Sequence, residues 1–246
     1  MIVYSNGDSY SAYNPDIKKY CDFLGDKLNC QVINSAIPGS CNDRILRTSI
    51  RDLMSLQKKH KDIVAVISLS FTIRSELWLK DHSYSKWKNS NDGDFFSCQF
   101  TLSHDWFNDK NKKVVNDIYK QYAKQWLNWF NIEAETTKLL HQLVLLTSWL
   151  KTNKIKYVIL SSALQEPVDF TSPFISSFYD ELINDSNILN IFEQSFTEWC
   201  NEHGFAPIND YLQSIHGKTY IIGHRDQLAH QAFAEYLLEN YIKVQL

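Results

Sequence analysis

Short apolar runs alternate with amphipathic stretches along the chain. The apolar runs cover residues 1–5, 31–34, 62–69 and 156–161, and the run at 62–69 is typical of a strand buried on both faces of a parallel sheet. Helical spacing of apolar residues separates the first three runs. The β-α-β-α-β order predicts right-handed crossovers with helices on both faces. The fold class is therefore predicted to be α/β, a three-layer α/β/α sandwich around a mostly parallel sheet.

Local signals place the helices of this pattern. Asn14-Pro15 is typical of a helix start, with an N-cap followed by proline at the first helical position. A second helix is predicted from about Asp43, and a long helical pattern runs over 114–150 with a break near Asn131. Further helices are predicted over 191–203 and 226–241. In the last of these we expect five residues to face inward: Leu228, Ala232, Phe233, Tyr236 and Leu237.

Two segments interrupt the alternation. Residues 79–113 are polar but carry six phenylalanine and tryptophan residues, among them Trp87, Trp106 and Phe107. Because a structureless stretch of this length is unusual in a compact domain, we interpret it as an insertion. It folds over the main domain either as a lid or substrate wall, or as an aromatic mini-core that shields the sheet. Residues 165–188 are interpreted as a second, irregular insertion. Without repeats or a linker, residues 1–246 are predicted to form one domain.

Charge and cysteine usage exclude several function classes. The net charge is −3 and there is no long basic run, which does not favour duplex nucleic-acid binding. No apolar stretch approaches ~18 residues, so no membrane span is expected. The start does not resemble a signal peptide, which predicts a cytoplasmic protein. The five cysteines are scattered and odd in number, as expected for free thiols in a reducing compartment. No cysteine or histidine spacing indicates a metal, and no cofactor is expected.

The overall composition bears on the origin of the chain. It contains only 7 glycines and 5 prolines alongside many Asn, Lys and Ile residues. Such usage is typical of an AT-rich genome and favours a phage source, for which virion association is an alternative location. The pattern does not indicate an oligomeric state.

Gly7-Asp8-Ser9 stands where the first predicted strand ends. That places Ser9 at the carboxyl edge of the sheet, where α/β folds put their chemistry. A serine hydroxyl is a weak nucleophile until a base takes its proton. The N–H groups of Ser9 and of Gly39, which has no side chain, could approach a developing oxyanion. The alternative is that Ser9 only caps a helix or turn.

Three blocks of sequence resemble the SGNH (GDSL-type) hydrolase superfamily. The first is Gly7-Asp8-Ser9, the second runs from Asn34 to Asn42, and the last is Gly223-His224-Arg225 before the closing helix. Members are mostly esterases, lipases and carbohydrate acetylesterases. The resemblance implies the flavodoxin-like fold of that superfamily, with Ser9 as nucleophile, Gly39 as oxyanion donor and His224 as base.

The chain departs from the superfamily pattern at the third block. Where the superfamily has Gly-x-Asn-Asp after the third strand, this chain reads Ser70 to Glu76. The oxyanion asparagine is missing, and Thr72 is the nearest polar substitute, with Asn42 as a second candidate. Some phage-type members have a similar Thr…Arg-x-Glu stretch.

The second departure concerns the acid. The superfamily places an aspartate three residues before the histidine, but that position here is Ile221. A backbone carbonyl could orient His224, which would make a Ser-His dyad. Alternatively a carboxylate arrives from elsewhere, with Asp226, Asp210 and Glu76 as candidates.

Other polar residues around these blocks have supporting roles in this interpretation. Asp8 is expected to brace the turn rather than act as a base. Arg74 and Glu76 are expected to form an ion pair at the sheet edge, with substrate anchoring by Arg74 as the alternative. His230 is expected to be packed in the last helix and is the next candidate for the base. Asn42 could also tie loops together or begin a helix.

The leading hypothesis is a serine esterase that acts through a Ser9 acyl-enzyme. By the resemblance, its substrate is a small-molecule or glycan ester, such as an O-acetyl group on a carbohydrate. One alternative is an acyltransferase on the same scaffold, which a water-excluding lid from 79–113 would favour. The other is a catalytically inactive module that keeps the fold and binds a ligand, which the missing Asn and Asp would favour.

Overall fold

Four parallel strands form the central sheet of the computed structural model. The structure describes residues 1–79, 96–101, 125–126, 128–163, 165, 168–189, 191–208, 212–215, 218–221 and 224–246. The strands are β1 (Ile2–Asn6), β2 (Gln31–Asn34), β3 (Ile63–Leu69) and β6 (Lys156–Ser161). Their order is β2-β1-β3-β6, so β1 lies inside the sheet with β2 on one side and β3 on the other. The prediction of a parallel sheet built on these four apolar runs is confirmed.

Helices cover both faces of this sheet. They are α1 (Tyr20–Lys27), α2 (Asn42–Leu56), α3 (Ile132–Thr152), α4 (Pro173–Ile183), α5 (Phe196–Glu202) and α6 (Gln227–Leu237). One core joins alternate strand residues such as Tyr4 and Ile67 to α2, α3 and α4. A second core joins Val3 and Val66 to α1, α5 and α6. Alternate residues of each strand enter opposite cores, which explains why the strands are largely apolar on both faces. The predicted three-layer α/β/α sandwich is confirmed.

The first helix begins later than its sequence signal indicates. The prediction that Asn14-Pro15 starts a helix is wrong, because Asn14 Oδ1 accepts a hydrogen bond from the Asp16 N–H at 2.9 Å and closes a local turn instead. Helix α1 starts at Tyr20 and is preceded by Lys19 as its N-cap residue. The predicted break near Asn131 is confirmed, since Asn131 caps α3 by accepting from the Ala134 N–H at 3.0 Å.

The segment 165–188 is more regular than predicted. It contains α4, whose Ile175 and Leu182 are buried in the core shared with α3. Beyond α4, Ile188 forms a parallel bridge with Ile159 of β6. The interpretation of this segment as irregular is therefore wrong, because proline at the first helical position and apolar residues at helical spacing build an ordinary packed helix.

Two antiparallel hairpins lie beside the central sheet. One pairs β4 (Arg74–Leu79) with β5 (Phe96–Thr101), and the other pairs β7 (Leu212–Ile215) with β8 (Lys218–Ile221). The first hairpin includes residue 79 and residues 96–101 of what we interpreted as an insertion at 79–113. Residues 80–95 and 102–113 lie outside the described residues, so the lid and mini-core alternatives both stay predictions.

The orientation of the last helix differs in part from the prediction. Leu228, expected to face inward, is 65% exposed, whereas Phe233 and Leu237 are fully buried as expected.

Within the part of the chain that the structure describes, no helix combines the length and apolar character that a membrane crossing requires.

Gly7 joins β1 to the turn that follows it under tight packing. A Cβ atom built at this position would lie 2.7 Å from Ser11 Oγ and 3.0 Å from both the Cβ and the carbonyl oxygen of Ser68. The carbonyl belongs to β3 and cannot rotate away. The glycine is therefore required because two strands and a turn converge on its Cα.

We predict that Gly7→Ala lowers the free energy of unfolding by about 1–3 kcal/mol, because the added methyl overpacks this junction. Ser9→Ala, two residues away, should change it by less than about 0.5 kcal/mol, because its hydroxyl holds nothing in place. Urea denaturation of the two variants beside the wild type checks the contrast. Equal stability of Gly7→Ala and wild type would contradict this packing argument.

Candidate active site

The candidate site lies where β1, β3 and β6 end together. Gly7-Asp8-Ser9 follows β1, Ser70 follows β3, and Ser162 follows β6. Because these strands are parallel and adjacent, their carboxyl ends meet at one edge of the sheet, as the switch-point rule for open α/β sheets expects. Helix α2 reaches the same edge with its first turn.

The carboxylate of Asp8 is the centre of this edge. It is fully buried. Its Oδ1 accepts from the Ser162 hydroxyl at 2.9 Å and from the Tyr10 N–H at 3.1 Å. Its Oδ2 accepts from the Ser70 hydroxyl at 3.0 Å and from Arg74 Nη1 at 2.9 Å. All its acceptor directions thus meet a donor, which is what a buried charge requires.

This coordination makes Asp8 a brace. Its four donors come from the turn itself, from the ends of β3 and β6, and from β4. A carboxylate held in this way is occupied by its donors and has no free lone pair aimed at a substrate. The arrangement agrees with the expectation that Asp8 steadies the turn and is not a base.

Ser9 sits on the turn that Asp8 holds. The Asp8 carbonyl accepts from the N–H groups of Ser11 and Ala12 at 3.1 and 2.8 Å, which fixes the backbone on either side of Ser9. The Ser9 side chain is half-buried, and within the described residues its hydroxyl makes no hydrogen bond. A rigid backbone with an unengaged hydroxyl is the local geometry that a serine nucleophile needs.

The loop that carries Gly39 runs beside this turn. The N–H groups of Ser35 and Ile37 donate to the carbonyls of Ser5 and Gly7 at 2.8 and 3.2 Å, so the β1–β2 ladder continues past the ends of both strands. Gly39 follows with φ of +80°, a left-handed conformation that other residues adopt only at a cost. The structure thus brings Gly39 to the same sheet edge as Ser9.

The other two predicted oxyanion donors are occupied elsewhere. Asn42 begins α2, donates to the Ser70 carbonyl at 2.9 Å and accepts from the Ser70 N–H at 2.7 Å. Thr72 gives both its N–H and its hydroxyl to Gln165 Oε1, at 3.1 and 2.5 Å. Asn42 therefore ties α2 to the end of β3, and Thr72 has no donor left for a substrate in this arrangement.

His224, the predicted base, stacks on the residue next to Ser9. Its imidazole lies on the Tyr10 ring with centroids 5.0 Å apart and planes at 27°. Burial is the main cause that lowers its pKa below the ordinary value of 6.5, and the charges of Lys19 and Arg74 lower it further while Asp8 opposes them. The imidazole is therefore neutral at pH 7, the form in which it can accept a proton.

No carboxylate among the described residues orients His224. Asp226 is the N-cap of α6 and accepts from the Ala229 N–H at 2.9 Å, and Glu76 pairs with Arg47 at 3.1 Å. The third candidate, Asp210, lies outside the described residues. Neither Asp226 nor Glu76 is therefore placed to orient His224.

The two charged residues of β4 pair with separate partners. The expected ion pair between Arg74 and Glu76 is wrong, because Arg74 reaches Asp8 and Glu76 reaches Arg47 on α2. Arg74 also lies over the Phe71 ring at 4.7 Å from its centroid. Both side chains connect the β4–β5 hairpin to the sheet edge. The charge of Arg74 is neutralised by its ion pair with Asp8.

His230, the alternative base, is fully buried in α6. It stacks on Phe196 with ring centroids 4.9 Å apart, and Lys19 Nζ lies 3.4 Å from its Nε2. Burial, followed by the charge of Lys19, lowers its pKa well below 6.5. Its position inside the core agrees with the expectation that it is packed there.

Sequence reasoning missed four residues of this site. Ser70 and Ser162 donate to Asp8, Gln165 holds Thr72, and Lys19 lies beside His230. A weak signal existed for the serines, since each follows an apolar strand at the carboxyl edge. Among the described residues, no cluster of His, Cys, Asp and Glu side chains could hold a metal ion.

The model of a family of unknown function (DUF6071) matches residues 14–176. That match includes Gly39, Asn42 and Arg74, but it begins after Ser9 and ends before His224. A search of curated proteins finds no match.

The fold is similar to solved structures at low sequence identity. One is the psychrotrophic esterase EstA from Pseudoalteromonas sp., in a structure inhibited by monoethylphosphonate. It is 13% identical with a TM-score of 0.46, covering 99% of this chain and 97% of that one. Another is the acetyl xylan esterase AlAXEase, 11% identical with a TM-score of 0.44, covering 97% of this chain and 98% of that one.

We predict that Asp8→Asn lowers the free energy of unfolding by about 3–5 kcal/mol, because it leaves the guanidinium of Arg74, which is only 14% exposed, without its counter-ion. Asp26→Asn removes the partner of Lys18 in an exposed ion pair and should cost at most about 1 kcal/mol. Denaturant titrations of both variants give the comparison. Similar costs for the two would show that Asp8 is not the brace described here.

Proposed function

The chain belongs to DUF6071, a family of unknown function, and we propose from the geometry of its candidate active site that it is a serine esterase. In this proposal Ser9 is the nucleophile and His224 is the general base. The N–H groups of Ser9 and Gly39 bind the oxyanion. The reaction needs no third side chain, since a dyad whose base is neutral at pH 7 can take the serine proton.

The proposed reaction proceeds in two halves. Ser9 Oγ attacks the ester carbonyl carbon while His224 takes the hydroxyl proton, and the negative carbonyl oxygen is bound by the two N–H groups. His224 then gives its proton to the leaving alkoxide, which departs as the alcohol and leaves an acyl group on Ser9. Water, deprotonated by His224, attacks this acyl-enzyme; the bond from the acyl carbon to Ser9 Oγ then breaks, His224 returns the proton to Ser9 Oγ, and the carboxylic acid leaves. Each well-placed oxyanion donor contributes roughly 3–4 kcal/mol to the barrier reduction.

One observation carries this proposal. Among the polar groups described at the sheet edge, Asp8, Ser70, Ser162, Asn42 and Thr72 are committed to other protein groups. The half-buried hydroxyl of Ser9 is not, although its backbone is held on both sides. A serine that caps or ties the turn would use its hydroxyl for that purpose. This favours the nucleophile over the capping alternative.

The substrate class is proposed on the resemblance alone. A short acyl ester, such as an O-acetyl group on a carbohydrate, is the class we propose. The choice between water and another hydroxyl or amine as acceptor depends on access to the acyl-enzyme. An acceptor-dependent rise in turnover would distinguish an acyltransferase from an esterase.

A non-catalytic binding module is the second candidate. Two observations favour it: both donors of Thr72 are taken by Gln165, and no described carboxylate orients His224. In that case the edge around Ser9 would bind a ligand without turning it over. The labelling experiment below separates this candidate from the esterase.

We predict that a fluorophosphonate probe labels the folded protein at Ser9, because only an activated serine hydroxyl attacks such a probe at neutral pH. Intact-mass measurement followed by peptide mapping locates the adduct. Ser9→Ala and His224→Ala should both abolish labelling, and Ser9→Ala should reduce kcat on an acyl ester by at least roughly 10³-fold.

Two matched controls complete this experiment. Ser11→Ala removes a serine of the same turn whose hydroxyl lies 2.5 Å from the Tyr20 hydroxyl, and His60→Ala removes a histidine outside the site. Both variants should still be labelled. Folded wild-type protein without an adduct, or an adduct that persists in Ser9→Ala, would sink the esterase and favour the binding module.

The pH dependence of the reaction supplies a separate prediction. Only the unprotonated imidazole accepts the serine proton, so activity falls as the pH drops through the pKa of His224. Since burial holds that pKa below 6.5, the acidic inflection of kcat/KM should lie below pH 6.5. Initial rates between pH 4.5 and pH 8 on a neutral ester measure it. An inflection at or above pH 6.5 would be evidence against His224 in its described environment as the base.

A further inference from the structure

Lys19 is a buried cation behind the candidate site. Its side chain is only 2% exposed, although the residue stands at the start of α1, where a lysine could easily reach solvent. Buried lysines are rare unless a carboxylate neutralises them. Within the described residues no carboxylate lies within ion-pair distance of Lys19 Nζ, whose one hydrogen-bonding neighbour there is His230 Nε2 at 3.4 Å.

His230 is equally unusual. It is fully buried, and its second ring nitrogen, Nδ1, has no hydrogen-bond partner among the described residues. An imidazole with one free buried nitrogen costs stability, so the pair is not explained as a stabilising contact. The neighbouring Lys18 and Lys27 instead form exposed ion pairs with Asp26 and Glu235. Lys19 is thus directed inward while comparable lysines of α1 are directed outward.

Aromatic rings connect this pair to the base. His230 stacks on Phe196 at 4.9 Å, Phe196 meets the Tyr10 ring edge-on at 6.1 Å, and Tyr10 stacks on His224 at 5.0 Å. Apolar rings between charged groups exclude water and leave their interaction poorly screened. The contacts that lead from Lys19 through His230 to His224 therefore run through aromatic rings that exclude water.

We propose that Lys19 is a positioning residue for the proposed esterase reaction. Its buried ammonium, held against His230 behind the rings of Tyr10 and Phe196, keeps the imidazole of His224 unprotonated in mildly acidic solution and so available to take the Ser9 proton. This inference rests on the proposed function for its catalytic meaning. The electrostatic relation between Lys19 and His224 can be tested without it.

Other titratable groups near His224 also bear on its pKa. The titratable groups that face His224 or the Tyr10 ring on which it stacks are Asp8 and Tyr10 of the turn after β1, Arg74 of β4, Glu198 of α5, Arg225 before α6 and His230 of α6. Asp8 favours a protonated His224, but its charge is shared with Arg74 at 2.9 Å. Among the charges on the pKa of His224, that of Lys19 is the largest, after burial itself. Burial lowers the pKa of Lys19 below its ordinary value, and the carboxylates of Asp8 and Asp22 oppose that shift.

The direct test follows the imidazole proton resonances of His224 by NMR between pH 4 and pH 8. Lys19→Met should move the midpoint of His224 upward, because the repelling charge is gone. Lys19→Arg keeps the charge and should stay near the wild type. Lys18→Met, the matched control with an exposed side chain, should leave the midpoint unchanged. An unchanged midpoint in folded Lys19→Met would overturn the inference.

A second measurement covers the case in which Lys19→Met does not fold. Nitrogen-15 NMR of lysine side chains in the wild-type protein, with Lys19→Arg used for assignment, shows whether Lys19 carries an ammonium at pH 6. The inference requires that it does. A neutral amine at that pH would overturn it.

Activity then separates this inference from the proposed function. If His224 is the base, kcat/KM of Lys19→Met at pH 5 should be about three- to tenfold below wild type, with equal values at pH 8, since one unit in the midpoint is a factor of ten in the unprotonated base. A merely structural role would lower activity at both pH values and contradict the inference. If the NMR midpoint moves in a wild-type protein without esterase activity, the inference holds and the proposed function fails.

Discussion

The carboxylate of Asp8 connects three parts of the chain that are far apart in sequence. It accepts hydrogen bonds from Ser70 at the end of β3, from Ser162 at the end of β6 and from the guanidinium of Arg74 on β4. The two serine contacts are buried and the Arg74 contact is partly buried. The buried carboxylate would be very costly without these donors. The turn after β1, including Ser9, takes its shape from this one charge.

Pre-organisation is the functional consequence. A nucleophile contributes most when its backbone does not have to rearrange during the reaction. Ser9 stands between residues whose N–H groups already close onto the Asp8 carbonyl, and the Gly39 loop is pinned beside it by hydrogen bonds to Ser5 and Gly7. In our proposal, the turn after β1 supplies Ser9 and the loop beside it supplies Gly39, and hydrogen bonds hold both segments in place. His224 arrives from the opposite end of the sequence and is positioned by its stack on Tyr10.

The central sheet and much of the helical layers could be predicted from the sequence, because apolar runs and helical spacing record burial directly. The hydrogen-bond and ion-pair partners of polar residues could not be predicted from the sequence. Arg74 and Glu76 are neighbours along the chain, yet each pairs with a residue on another element. The contact between Lys19 and His230 spans 211 positions, and no local pattern indicates that a lysine before α1 points inward. Helix α4 was within reach of prediction from Pro173 and its apolar spacing, but a flanking polar stretch obscured it.

The central claim is that Ser9 attacks a carbonyl group whose oxygen is received by the N–H groups of Ser9 and Gly39. A crystal structure of the protein after reaction with a fluorophosphonate tests it most directly, because the adduct imitates the tetrahedral intermediate. We expect phosphorus bonded to Ser9 Oγ, one phosphoryl oxygen about 3 Å from both N–H groups, and His224 on the opposite side of the adduct. An adduct on another residue, or a phosphoryl oxygen turned away from Gly39, would contradict it.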